Sequence, residues 1–231
     1  MINMVVFDMA GTVVNEQNVV YKTLQKALNN GGIPVTLEQV LADGAGKEKK
    51  AAIMDIADKY APGQTPEAID NMFAYFLDEL DKAYADLDVI PIDGAEAVFE
   101  TLIENGIWVV LNTGYNRETA EKLVGKLGWV KEDHFDELVT ASDVPHARPH
   151  PDMILRAMEL FEMDDASEVL KIGDSTIDIE EGKNAGCGIT VGITTGAQTR
   201  DQLAMASPDY IIDSLLDLPG LLGLEKEISQ E

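Results

Sequence analysis

The chain has one cysteine, three histidines and only 17 basic residues among 231, and each scarcity closes a route. A single thiol, Cys187, forms no internal disulfide. Its neighbours Ala185, Gly186 and Gly188 mark it as a small packed hydrophobe rather than a nucleophile. His134, His146 and His150 share one stretch but lack the spacing of zinc ligands. Seventeen bases against 42 acids leave a net charge of −25. That balance argues against nucleic acid as a partner and disfavours an anionic membrane surface. No apolar run approaches the roughly 20 residues that span a bilayer. No signal segment precedes the first strand, so a cytoplasmic location is expected. What remains is ordinary globular composition, 45% hydrophobic and 26% charged, enough for one large domain or a core with an insert. An anionic substrate would need a site that is a local exception to the negative field.

What is present begins with Val5-Val6-Phe7-Asp8, an apolar run that delivers one carboxylate onto a turn built with Gly11 and Thr12. Such a run reads as a buried parallel strand, and in open α/β sheets the ligand crevice lies off the carboxyl ends of the strands. Helical spacing then dominates: Asn15 to Asn30, a short helix capped at Thr36, Lys47 to Tyr60, and Pro66 to Leu87. Strand signals are missing from 15 to 88, so this block reads as an inserted helical domain, with the core formed by 1–14 and 89–231. After Pro91 the alternation is regular. Strands are expected at Ile107–Leu111, Glu137–Thr140, Val169–Ile172, Ile189–Val191 and Tyr210–Ile212, separated by helices. That order calls for a parallel sheet covered on both faces.

Three more strand ends carry chemistry. Thr113 and Gly114, followed by Tyr115, close one strand; a hydroxyl and backbone amides there suit a phosphoryl oxygen, although an ordinary helix cap reads equally from the residues. Arg148 sits among Ala147, Pro149 and His150 just before a helix, either as a clamp for an oxyanion or as a surface arginine. Asp174 and Asp178 are four apart across a helix start. With Asp8 they would form a carboxylate cluster that calls for a hard cation such as Mg²⁺; taken separately they are candidates for capping and dipole roles.

Asp8, Thr113, Arg148 and Asp174/Asp178, in that order, resemble the four motifs of the haloacid dehalogenase superfamily. The resemblance spans nearly the whole chain. It implies a Rossmann-like α/β core with a helical cap inserted after the first strand. It further implies an Mg²⁺-dependent hydrolase in which Asp8 attacks phosphorus to give a phosphoaspartate. Thr113, Arg148 and backbone amides would hold the phosphoryl oxygens. Asp8, Asp174 and the Ala10 carbonyl would bind the metal, with Asp178 orienting its shell.

Phosphatases of the superfamily usually carry a general acid two places after the nucleophile, and here that place is Ala10. Asp-x-Ala-Gly-Thr is instead similar to the phosphonoacetaldehyde hydrolases and their phosphonatase-like relatives, as are Thr113-Gly114-Tyr115 and Thr195-Gly196-Ala197. Those enzymes form a Schiff base on a cap lysine in a Gly-x-x-Lys motif. Gly46-Lys47-Glu48-Lys49 matches it and makes Lys49 the candidate, against the plainer reading of a solvated basic turn. The family's Met before that Gly and His after that Lys are replaced by Ala45 and Ala52. The expectation is therefore a hydrolase of a small phosphorylated or phosphonylated metabolite. The alternatives are a phosphate monoester phosphatase similar to phosphoglycolate phosphatases, or a phosphometabolite-binding protein without turnover. By family analogy alone, a homodimer is allowed.

Overall fold

The computed structural model describes residues 1–224. Six strands form one parallel sheet: β1 (Met4–Asp8), β4 (Trp108–Thr113), β5 (Glu137–Thr140), β6 (Val169–Gly173), β7 (Ile189–Ile193) and β8 (Tyr210–Ile212). Their order is β5-β4-β1-β6-β7-β8. β1 therefore lies between β4 and β6, and the chain winds outward from it in both directions. This is the switch point at which strand ends diverge and open a crevice.

Every residue of β1 is buried, because helices cover both faces. Its side chains alternate between two cores. Met4 and Val6 face α7 (Asp152–Leu160) through Met153, Ile154 and Ala157. Val5 and Phe7 face the other side, where Phe7 meets Phe99 of α5 (Ala95–Glu104) edge-on at 5.2 Å. Trp129, just beyond α6 (Arg117–Leu127), continues that aromatic contact. α8 (Thr176–Ala185), α9 (Arg200–Met205) and the short α10 (Leu218–Leu221) complete the covering.

Between β1 and α5 the chain makes a two-stranded ribbon, β2 (Val14–Asn15) with β3 (Ile90–Pro91), and between those strands four helices. They are α1 (Val19–Asn30), α2 (Leu37–Gly44), α3 (Lys49–Tyr60) and α4 (Pro66–Asp86). Buried Leu24, Leu28, Ile53, Ile56, Phe76 and Leu80 join them. The expected capping start at Thr36 is a full capping box with Gln39.

Some boundaries differ from the sequence expectation. α1 begins at Val19 rather than Asn15, because Gln17 and Asn18 take left-handed conformations and the Asn15 side chain accepts from the Gln17 N–H. The ribbon was not anticipated, since two-residue strands carry no periodicity. β4 runs through Thr113 and does not stop at Leu111, because pairing with β5 continues to Thr140. No described helix is long and apolar enough to cross a membrane.

Candidate active site

Asp8 is the last residue of β1, and a tight turn follows it. The Met9 carbonyl accepts the N–H groups of Thr12, Val13 and Val14 at 3.2, 2.9 and 2.8 Å. Gly11 has φ +87°, and a Cβ there would stand 2.3 Å from Asp174 Oδ2, so both backbone and space require glycine. Thr12 Oγ1 donates to Asp8 Oδ2 at 3.3 Å.

Asp174 follows β6 and faces the same turn. The Ala197 N–H donates to its Oδ2 at 2.6 Å, and Thr195 Oγ1 donates to the Gly11 carbonyl at 2.6 Å. The loop carrying Thr195-Gly196-Ala197 thus seats Asp174 against the Asp8 turn. A Cβ on Gly196 would lie 1.9 Å from Asp174 Oδ2. Gly196→Ala is therefore expected to displace that carboxylate and weaken Mg²⁺ binding about 10- to 100-fold, the usual cost of losing a supporting contact. Titration calorimetry with Mg²⁺ reads it; unchanged affinity would remove Asp174 from the metal site.

Asp178, in the first turn of α8, completes a set of three carboxylates whose oxygens lie within 4.8 Å of one another. Neither acid acts as the helix cap: Ser175 occupies that position, and its hydroxyl donates to Asp178 Oδ2 at 2.5 Å. Burial raises the Asp8 carboxyl, with Asp178 adding to it and Arg148 opposing. Burial, then Asp8 and Asp178, push Asp174 well above its ordinary range. Asp178 goes the other way: burial raises it, but Arg148 and Lys171 outweigh burial.

Arg148 is buried. Its Nη1 contacts Asp8 Oδ1 at 2.6 Å and Asp178 Oδ1 at 2.9 Å, and its Nε donates to Glu181 Oε2 at 2.9 Å. Nη2 donates to the Asn112 carbonyl at 2.7 Å and to Asn112 Oδ1. The guanidinium therefore spends its fork on protein acceptors, and an oxyanion would have to share Nη1 with Asp8. Lys171, fully buried on β6, lies 3.2 Å from both Asp178 and Glu181. Sequence reading passed over Lys171, Glu181 and Asn112. The signal for Lys171 was present, a lone charge inside the apolar run Val169 to Ile172. Glu181 and Asn112 offered none apart from the partners the fold gives them.

Four buried carboxylates, Asp8, Asp174, Asp178 and Glu181, thus meet two fully buried cations, Arg148 and Lys171. The deficit of two positive charges, and the elevated Asp8 and Asp174 on the side away from Lys171, fit one divalent cation. Hard oxygen ligands of this kind suit Mg²⁺.

Thr113 ends β4 beside Asp8, and its Oγ1 accepts from the Tyr115 N–H at 3.2 Å. A Cβ on Gly114 would stand 3.0 and 3.1 Å from the carbonyls of Gly46 and Lys47. A Cβ on Gly46, at φ +74°, would meet Ser175 Oγ at 2.4 Å. The loop before α3 therefore rests directly on the strand ends, and Asp8 and Lys49 are each only 5% exposed. The largest described cavity, about 570 Å³, lies on the outer side of that seam against Lys47, Thr176 and Gln198, and none of the three carboxylates lines it.

Lys49 is not a solvated turn residue. Its Nζ donates to the Lys47 carbonyl at 2.6 Å and lies 5.2 and 5.1 Å from the ring centroids of Tyr21 and Tyr115. Burial lowers its pKa to about 8, with Asp8 opposing and Arg148 assisting. Glu16, which sequence reading also passed over, is buried in the same pocket. Val20 N–H and Tyr84 Oη both donate to its Oε2, at 3.0 and 3.4 Å. Burial raises its pKa to about 7, against the partial opposition of those donors and Lys49.

A raised carboxyl favours the folded state while protonated. Glu16 contributes that stability fully below its unfolded pKa near 4.5 and loses it as pH rises through about 7. The loss is about 3 kcal/mol. Glu16→Gln is expected to melt above wild type at pH 8 and to lack that part of the decline, as thermal denaturation across pH 4–8 would read. His146 and His150 are exposed, with His146 beside Asp152, and lie outside this network. Cys187 is half-buried, and its thiol is pushed up to about 12 by burial, as suits a packed and unreactive side chain.

The model of the haloacid dehalogenase-like hydrolases matches residues 5–192. The chain belongs to the haloacid dehalogenase-like hydrolases. It is 29% identical to a phosphonoacetaldehyde hydrolase of Latilactobacillus sakei over 96% of this chain and 95% of that one. With a phosphonoacetaldehyde hydrolase of Bacillus mycoides it shares 34% identity over 85% and 77% of the two chains. The pyrophosphatase PpaX of Anoxybacillus flavithermus is 28% identical over 96% and 98%. The fold matches a hydrolase from Pseudomonas syringae at TM-score 0.84 and 20% identity, covering 96% of this chain and 98% of that one. As a haloacid dehalogenase-like hydrolase the chain is an enzyme, and its three-carboxylate crevice lies at the β1 switch point.

Proposed function

We propose that this hydrolase releases phosphate from a small phosphonylated aldehyde, with Asp8 as the nucleophile and Lys49 as the amine that activates the carbonyl. The observation that carries this reading is the Lys49 pocket. A buried lysine between two tyrosine rings, lowered to about 8, holds a substantial fraction of free amine at neutral pH. A phosphate-ester reading has no use for such an amine. Ala10 supports the same choice, since no carboxyl stands there to protonate an alkoxide.

Asp8, Asp174, Asp178 and the Ala10 carbonyl would hold Mg²⁺, which when bound offsets the charge of the phosphonyl oxygens and of the nucleophile. Arg148 fixes the Asp8 carboxylate through Nη1 and leaves Oδ2 as the attacking oxygen, which in-line displacement at phosphorus needs. Thr113 Oγ1 and the amides of the turns after β1 and β4 bind phosphonyl oxygens. The amine of Lys49 condenses with the aldehyde carbon, and the resulting iminium accepts the electron pair of the breaking C–P bond. Asp8 takes the phosphoryl group, and water then hydrolyses the phosphoaspartate.

Helices α1–α4 serve as a cap, with the crossings beside the β2–β3 ribbon as its hinge. The closed seam at Gly46 and Gly114 requires that cap to lift for substrate to reach Asp8. The PpaX relative keeps a second substrate in view: a phosphate leaving group needs no proton donor at Ala10, so pyrophosphate stands beside phosphonoacetaldehyde in the test.

Phosphate release with Mg²⁺ is expected from phosphonoacetaldehyde and to fall at least ~10³-fold in Lys49→Arg, since a guanidinium cannot form the imine. Release from pyrophosphate or esters alone, undiminished in Lys49→Arg, would replace this reading with a phosphatase.

A further inference from the structure

Imine formation needs a proton donor, because the carbinolamine hydroxyl leaves only as water. The histidine that the resemblance places beyond the cap lysine is absent; Ala52 stands there, and none of the three histidines lies in the cap. Four titratable side chains share the pocket with Lys49: Glu16, Tyr21, Tyr84 and Tyr115. Burial drives all three tyrosines well above the ordinary phenol value, so they neither give nor take protons readily at neutral pH. Tyr21 and Tyr115 carry the ring faces that flank the ammonium. Glu16 alone has the means.

Its setting is built rather than incidental. Glu16 is 2% exposed at the hinge between β2 and α1, and both of its hydrogen bonds fall on Oε2. Tyr84, near the end of α4, reaches it from the returning crossing. Tyr115 Oη is buried in the same pocket with no hydrogen-bond partner. The pocket thus keeps polar groups free for a bound molecule.

Resting on the Lys49 reading, we infer that Glu16 is the proton-transfer residue of the imine chemistry, a catalytic carboxyl supplied by the hinge in place of a cap histidine. The Lys49 amine adds to the aldehyde carbon, and the carbonyl oxygen takes up the ammonium proton to give a carbinolamine. Glu16 then gives its proton to that hydroxyl. The C–O bond breaks, water leaves, the nitrogen lone pair closes C=N, and Glu16 remains as carboxylate. In the final hydrolysis water attacks the iminium carbon, and Glu16 takes the proton that water sheds. Its titration near neutrality, beside Lys49 and the three tyrosines, suits both directions.

Borohydride trapping tests this. Protein with Mg²⁺ and phosphonoacetaldehyde is quenched with borohydride at intervals from pH 5.5 to 9, and adduct on Lys49 is counted by mass spectrometry with Lys49→Arg as blank. Wild type is expected to trap rapidly. Glu16→Gln keeps acceptors for Val20 N–H and Tyr84 Oη and should fold, but it should trap about 10²- to 10⁴-fold more slowly and lose the limb near pH 7. Glu16→Asp should recover part of the rate, and Tyr84→Phe should stay within about tenfold of wild type.

Trapping in Glu16→Gln at the wild-type rate and pH profile would overturn the assignment and leave Lys49 intact. Equal slowing in Glu16→Gln and Tyr84→Phe, with matching losses of melting temperature, would make Glu16 a hinge tie and overturn it as well. Wild type that releases phosphate but never traps would overturn the Lys49 reading and this inference with it.

Discussion

Asp8→Asn is expected to abolish phosphate release from every substrate the enzyme accepts, by at least ~10⁴-fold, the scale on which hydrolases lose a nucleophile. The amide has no anionic oxygen to attack phosphorus. The fold should not suffer. Asp8 is buried beside Asp178 and pushed toward its neutral form, so a neutral isostere relieves repulsion. In EDTA the variant should melt at or above wild type. In Mg²⁺ the order should reverse, because cation binding stabilises only the protein that retains the ligand. Melting curves with and without Mg²⁺, beside a phosphate assay, read both halves. Turnover that survives the substitution would move the nucleophile elsewhere; an unchanged response to Mg²⁺ would take Asp8 out of the metal site.

Arg148→Met is expected to have the largest effect on stability. One guanidinium meets Asp8, Asp178 and Glu181 and also donates twice to Asn112, all out of water. Removing it leaves three buried carboxylates to Lys171 alone. Breaking a buried ion pair from one side costs about 3–5 kcal/mol, against a total near 5–15 kcal/mol for a domain. Urea unfolding should show that loss in ΔG with an unchanged slope. Arg148→Lys should recover part of it, because a charge remains while the fork is lost. A loss under about 1 kcal/mol would mean that the carboxylates take up protons and dispense with the arginine.

The two predictions separate what was legible in the sequence from what was not. Asp8, Asp174 and Asp178 were readable because each ends or follows an apolar run, and parallel topology sends such ends to one side. The order of strands followed from turn residues and from helical spacing between them. Arg148 was readable only as a residue type in a rigid loop; its engagement with Asp8, Asp178 and Glu181 is decided by residues 33 to 140 positions away. Lys171 was passed over because a charge inside an apolar strand looks like an exception to the pattern. The β2–β3 ribbon has no period to detect, and its existence depends on the two crossings lying side by side.

By itself the sequence determined the α/β alternation, the helical insertion and the ordered acidic and hydroxyl residues at strand ends. Local spacing dictates those features, and they survive without knowledge of any partner. Only the tertiary structure decided which charges are out of water. Lys49 stands in a basic turn, and Glu16 in a polar link between a strand and a helix. Both would be solvated if the helices did not close over the sheet. Closure removes water from each, shifts their protonation toward neutral pH and puts them in one pocket. That is a property of distance and burial, which a list of residue types does not contain.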